Sequence, residues 1–163
     1  MKKVIVIMMI LALTIIPAGI SGASSDKGQY NLIKPVPREL MREMSTDRPD
    51  KTESPYTVDA GHYQIETSLV DYTYDHRNAQ GNDQRADNFS VFPMNIKAGL
   101  FNNVDFQLVV DPYIREHAQG DGERETKTGF GDIQNRIKIN LWGNDGGRTA
   151  LALMPFVKFP TNT

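Results

Sequence analysis

Cysteine is missing from all 163 residues. No disulfide can staple this fold, and no thiolate can act as nucleophile or metal ligand. Also missing beyond residue 23 is any run approaching the roughly 20 apolar residues that a membrane-spanning helix needs. Basic clusters are missing too. Lys and Arg number 18 against 20 Asp and Glu, a formal charge of −2, which gives no footprint for a nucleic-acid partner. Stability must then come from a core, a lipid interface or an assembly.

What is present begins with MKKVIVIMMILALTIIPAGISGASS. Lys2 and Lys3 precede the uncharged run Val4 to Ile16, and Pro17, Gly19, Ser21, Gly22 and Ala23 come next as breakers and small residues. That is the layout of a cleaved secretory signal peptide, residues 1–23. Read as an anchor instead, its apolar run of about 13 residues spans only roughly 20 Å as a helix, short of a hydrocarbon core of about 30 Å. Cleavage removes two lysines and no acids, leaving 16 basic and 20 acidic residues and a charge of −4.

Residues 24–60 are polar and proline-rich. PRELMREM, Pro37 to Met44, predicts a short helix with Pro37 in its first turn. Beyond it, Pro49 and Pro55 interrupt any regular element. The expectation is a periplasmic arm acting as a surface leader, with a plug as the sharper alternative.

From residue 61 to 163 the texture changes to alternation and turns. DIQNRIKINLW places Ile133, Ile137, Ile139 and Leu141 on one parity and Gln134, Arg136 and Lys138 on the other. In a strand those sets face opposite ways. Similar alternation marks GHYQIETSLVDYTYD, SVFPMNIKAGLF, VDFQLVVDPY and RTALALMPFVKFP, about five strands in all. Near Val70 the phase slips, as a bulge would cause. Asn102-Asn103 and GNDGG predict short turns, while Asp75–Asn88 and Arg115–Gly131 predict long polar loops.

Loops that alternate long and short fit an antiparallel up-and-down transmembrane β-barrel, whose two ends carry loops of different length. A strand of about 11 residues, tilted by about 45°, covers roughly 25 Å, the height of an apolar band. Five strands do not close such a barrel, so the expectation is the N-terminal part of a longer protein.

The stretches STDRPDKTESPYTVDAGHYQIETSLVDYTYD, NVDFQLVVDPY and GFGDIQNRIKINLWGNDGGRTALALMPFVKFP resemble Gram-negative outer-membrane transporters of the MetA-pathway of phenol degradation family. The resemblance runs from about Ser45 to Pro160 and rests on TDRPD with TESP, GFGD and WGNDGG in combination. It implies an outer-membrane β-barrel that moves small hydrophobic or aromatic compounds.

No catalytic constellation emerges. His62, His76 and His117 are scattered without the spacing of a metal site. GDGERE and GNDGG miss the spacing of a calcium loop, and no phosphate-binding loop or nucleophile elbow is present. The expectation is therefore no enzyme, no cofactor, no metal and no nucleic-acid partner. The candidate site is the polar parity: Gln64, Glu66, Asn95, Lys97, Asp105, Gln107, Gln134, Arg136 and Lys138 as lumen-lining residues. Opposed acids and bases there would pair and block a narrow lumen or bias a wide one. The function expected is passive solute passage through the outer membrane, with lipid and a small solute as partners. The competing readings are a structural barrel without transport and a soluble ligand-binding β-sandwich.

Overall fold

The computed structural model describes residues 27–48, 53–77, 84–120 and 123–161. The expected signal peptide lies outside them. Ten strands make two antiparallel sheets: β1 (Tyr63–Thr67), β2 (Val70–Arg77), β3 (Gln84–Val91), β4 (Met94–Phe101), β5 (Val104–Val110), β6 (Tyr113–Gly120), β7 (Glu123–Gly129), β8 (Ile133–Trp142), β9 (Leu151–Leu153) and β10 (Phe156–Phe159). One sheet runs β1-β4-β5-β8-β10 with β9 also on β8, and the other runs β2-β3-β6-β7.

Chain order joins these pieces into five long strands, each broken once. Four of the breaks lie at one level, at Ser68-Leu69, Phe92-Pro93, Asp111-Pro112 and Phe130-Gly131-Asp132. Hydrogen bonds cross them: Ser68 N to Pro93 O at 3.4 Å, Phe92 N to Leu69 O at 3.1 Å, and Gly131 N to Asp111 O at 2.8 Å. At each break the inward parity flips. Glu66 faces inward below and Asp71 above; the same holds for Asn95 and Ser90, and for Gln107 and Ile114. A row of bulges thus turns the meander, and two of its positions carry proline, which cannot donate to a ladder. Phe92 takes φ 52° there. The phase slip expected near Val70 is the first of the four.

Below the bulges the register is continuous. Gln64, Lys97, Gln107, Arg136 and Phe156 stand side by side in one row. Glu66, Asn95, Val109, Gln134 and Lys158 form the next. This assigns Phe156 and Lys158 to the polar face and leaves Val157 and Phe159 on the aliphatic one.

The fold is all-β and antiparallel, and among the described residues no closed barrel forms. Two expectations need correction. The long loops are mostly strand: β2 and β3 pair from Val70↔Val91 up to Arg77↔Gln84, and β6 and β7 pair from Ile114↔Gly129 up to Gly120↔Glu123. With polar residues on both faces, these hairpins carry no hydrophobic period to betray them. The helix of PRELMREM shrinks to one 3-10 turn, Arg38–Leu40, ended by extended Met41. Over 41–48 and 53–59 the described arm residues form no helix, and their backbone N–H groups find side-chain acceptors in place of helical carbonyls. Arg42 N donates to Asp59 Oδ2 at 2.8 Å, Thr57 N to Asn144 Oδ1 at 3.0 Å, and Val58 N to Asp105 Oδ2 at 3.0 Å.

Burial is inverted relative to a water-soluble sheet. Among the described residues the buried hydrophobic side chains are Val36, Ala60 and Ile114, whereas Lys97, Asp105, Gln107, Lys138 and Asn140 are all at most 3% exposed. Ile65, Leu69, Ile137, Leu141, Val157 and Phe159 on the other face are 43–72% exposed.

Candidate functional site

The arm covers the polar face. Its first contacts are backbone ones: Asn31 bridges Phe101, and Leu32 N donates to Leu100 O at 3.0 Å. At Gly99 the arm comes so close that a Cβ would stand 2.0 Å from the Asp59 carbonyl oxygen. Only glycine permits that approach.

At the centre sits Asp47 of TDRPD. Its Oδ2 accepts from both Lys97 Nζ and Lys138 Nζ, the latter at 2.7 Å. Its Oδ1 accepts from Ser54 N at 2.7 Å, and its own N–H points at the Glu66 carboxylate at 3.1 Å. Glu66 also accepts from Lys97 at 2.6 Å and from Gln64 Nε2 at 2.8 Å. Burial works to raise the Asp47 pKa, but the hydrogen bonds and charges of Lys138 and Lys97 outweigh it and hold it below the ordinary 3.8. Two lysines from strands β4 and β8, with β5 between them, are thus tied together by one arm carboxylate.

A relay of amides runs to Asp105 beside this clamp. Asn95 Nδ2 donates to Gln107 Oε1 at 3.3 Å, and Gln107 Nε2 donates to Asp105 Oδ1 at 3.0 Å. Asp105 in turn accepts the Val58 N–H of the arm. On the far side Arg136 donates to Glu53 of TESP at 2.6 Å and to Gln134 at 3.1 Å. Burial and the neighbouring Asp47 charge raise the Glu53 pKa above its ordinary value despite Arg136. Arg48 pairs with Asp71 above the bulges.

A second cluster closes the short-turn end. Arg42 reaches Asn102 Oδ1 at 2.9 Å, Asp145 Oδ1 at 3.0 Å and Asp59 at 3.2 Å. Lys27 adds Asp145 at 2.9 Å and Asp59 at 3.5 Å. Asn144 donates to Thr57 Oγ1 and to the Asn102 carbonyl, at 2.8 and 2.6 Å. Burial opposes the ionised Asp145, yet its contacts with Asn102, Lys27 and Arg42 keep its pKa below the ordinary value.

The nine residues singled out by parity, Gln64, Glu66, Asn95, Lys97, Asp105, Gln107, Gln134, Arg136 and Lys138, therefore share one face, under the arm. Their partners Asp47 and Glu53 were not among the candidates, nor were Arg42, Asp59, Asn144 and Asp145 of the second cluster. Two signals pointed to them: acids and bases packed into a proline-rich segment, and the motifs TDRPD, TESP and WGNDGG. His62 instead holds the arm backbone, Nε2 to Val36 O at 2.7 Å, and His117 contacts Thr126 Oγ1 at 2.8 Å. Among the described residues no group of three His, Cys, Asp or Glu is placed to hold a metal.

Residues 46–163 match the family model described as "Putative MetA-pathway of phenol degradation". The chain belongs to this family. The match begins next to Asp47 and takes in every wall residue of the clamp. No curated protein and no solved structure matches the chain. Of the motifs that carry the family resemblance, three fasten arm to wall: TDRPD supplies Asp47 and Arg48, TESP supplies Glu53, and WGNDGG supplies Asn144 and Asp145.

Proposed function

We propose that this chain forms wall and internal plug of an outer-membrane β-barrel channel for passive passage of small hydrophobic or aromatic solutes. One observation carries the reading: the polar face is buried and the aliphatic face is exposed. Leaving a large aliphatic or aromatic side chain in water forgoes about 1.5–3 kcal/mol each, and a contiguous band of them calls for an apolar solvent. A β-sandwich would bury that band in its core; here it faces out. Along β5 and into β6, Val104 to Tyr113 climbs about 30 Å, or roughly 21 Å when tilted by about 45°. That suits the hydrocarbon layer of an outer membrane.

Export rests on Lys2, Lys3 and the Val4 to Ile16 run, and the solute class rests on the family's description. The reading includes no catalytic step, cofactor or nucleic-acid partner. In the docked state the arm neutralises Lys97, Lys138 and Arg136 and occupies the groove they line. A solute passes along the polar face when the arm shifts, meeting amides and paired charges that water or a polar group can satisfy.

Full-length protein should need detergent, run anomalously on gels unless boiled, and give discrete conductance steps in planar bilayers. Arg136→Glu should shift the reversal potential toward cations, because it replaces a cation of the polar face by an acid beside Glu53. Solubility without detergent would contradict the reading. A heat-modifiable protein without conductance would leave a structural barrel.

A further inference from the structure

Above the bulges the meander sorts charge by face. One face, continuous with buried Ser90 and Ile114, carries by register Asp71, Asp75, Glu116, Glu123 and Glu125 against Arg77 and Lys127. The other continues the exposed aliphatic band upward. Its first row is Tyr72, Phe89, Arg115 and Thr128, its second Tyr74, Asp87, His117 and Thr126, and its third includes Arg85, Gln119 and Arg124. Arg115 stands in the first row with the rings of Tyr72 and Phe89, and Arg85 and Arg124 come two rows above. Tyr72 and Tyr113 are 63% and 43% exposed. Asp87, the one acid on this face among the described residues, already accepts from Tyr72 Oη at 3.2 Å. Arg115 makes no ion pair among the described residues. A shallow concavity on this face is lined by Tyr72, Asp87, Phe89, Tyr113, Arg115 and His117.

Rings at the edge of an apolar band sit well at headgroup depth. Guanidinium forks just beyond them fit phosphate oxygens in bidentate geometry. A soluble partner would not need the rings to continue the aliphatic band, and a zwitterionic leaflet would not need Arg115 and Arg124 set against one acid among the described residues. We propose that this outer face binds the phosphorylated headgroups of anionic lipids in the leaflet from which the long hairpins emerge. Arg115 and Arg124 contact phosphate, and Tyr72 and Tyr113 lie at headgroup depth. This rests on the membrane reading above.

The test is insertion of the full chain into phosphatidylcholine vesicles with and without a phosphorylated anionic lipid, read by gel mobility without boiling. Each arginine near an anionic leaflet is worth roughly a fivefold change in partitioning. Wild-type insertion should rise at least about tenfold with the anionic lipid, the gain should fall with salt, and soluble inorganic phosphate should not substitute for the lipid. R115E/R124E should insert into phosphatidylcholine like wild type but lose the anionic gain. E123K/E125K, which alters the opposite face, should retain it. Equal gains for wild type and R115E/R124E would overturn the proposal while leaving the membrane reading intact. Failure to insert into any vesicle would overturn both.

Discussion

The two sheets answer to different surroundings. Below the bulges, β4 alternates strictly between half-buried Met94, Ile96, Ala98 and Leu100 and buried Asn95, Lys97 and Gly99. Above them β7 is exposed at nearly every position. The first sheet separates a polar interior from whatever meets its aliphatic face; the second leaves both faces of β7 exposed toward its tip. Alternation in a sequence reports a difference between the two sides of a strand, not the strand itself.

The sharpest way to break the lower sheet is at its clamp. Asp47→Ala leaves Lys97 and Lys138 buried without their shared partner, and losing one side of a buried pair costs about 3–5 kcal/mol. Thermal unfolding in detergent should show it, together with faster protease cleavage of the arm. If the arm stays as protected as in wild type, the clamp does not hold it. Gly99→Val tests the same contact sterically. With the Asp59 carbonyl in the way, the arm must shift, at about 1–3 kcal/mol, and cleavage should again accelerate.

Acid gives a gentler probe of the same contact. Asp47 has a folded pKa below the ordinary 3.8, so its stabilisation is complete above 3.8 and lost as pH falls through the lowered value. Glu53 is raised and works the opposite way: protonating it relieves strain between like charges, so it does not bring release forward. The arm should stay protected through the ordinary carboxylate range and detach only below it; a midpoint well above 3.8 would contradict the clamp. The upper sheet should respond least. Lys127 pairs with Glu125 at 3.2 Å with both side chains more than half exposed, so Lys127→Ala should change stability by less than about 0.5 kcal/mol.

Those contrasts explain what the sequence could tell. Ile133 to Trp142 displayed its strand and its polar parity openly, and all nine candidate residues fell on one face. The upper hairpins were hidden because their apolar residues stop near the bulges and only polar and small residues alternate toward the tips. The arm was harder still. Its contacts join residues as far apart as Asp47 and Lys138, and no local pattern announces a pairing at that separation. PRELMREM has good helix formers, yet acceptors on Asp59, Asn144 and Asp105 take up N–H groups of the arm in its extended form, a case of tertiary context overriding propensity. Nothing local in the arm showed that Asp47 would answer Lys97 and Lys138, or Glu53 answer Arg136, across to the wall.

The absence of cysteine makes the deciding measurement simple, since any introduced thiol is unique. Single cysteines at Ile65, Ile137 and Val157, and at Gln107 and Asn95, would be labelled in the full chain after insertion into vesicles. Lipid-dissolved and water-soluble quenchers would then be applied in turn. The account predicts that the lipid quencher reaches the first three and spares the last two, which the arm shields from both. Water-soluble quenching of Ile65, Ile137 and Val157 with no lipid contact would contradict it and make this an ordinary sheet in water.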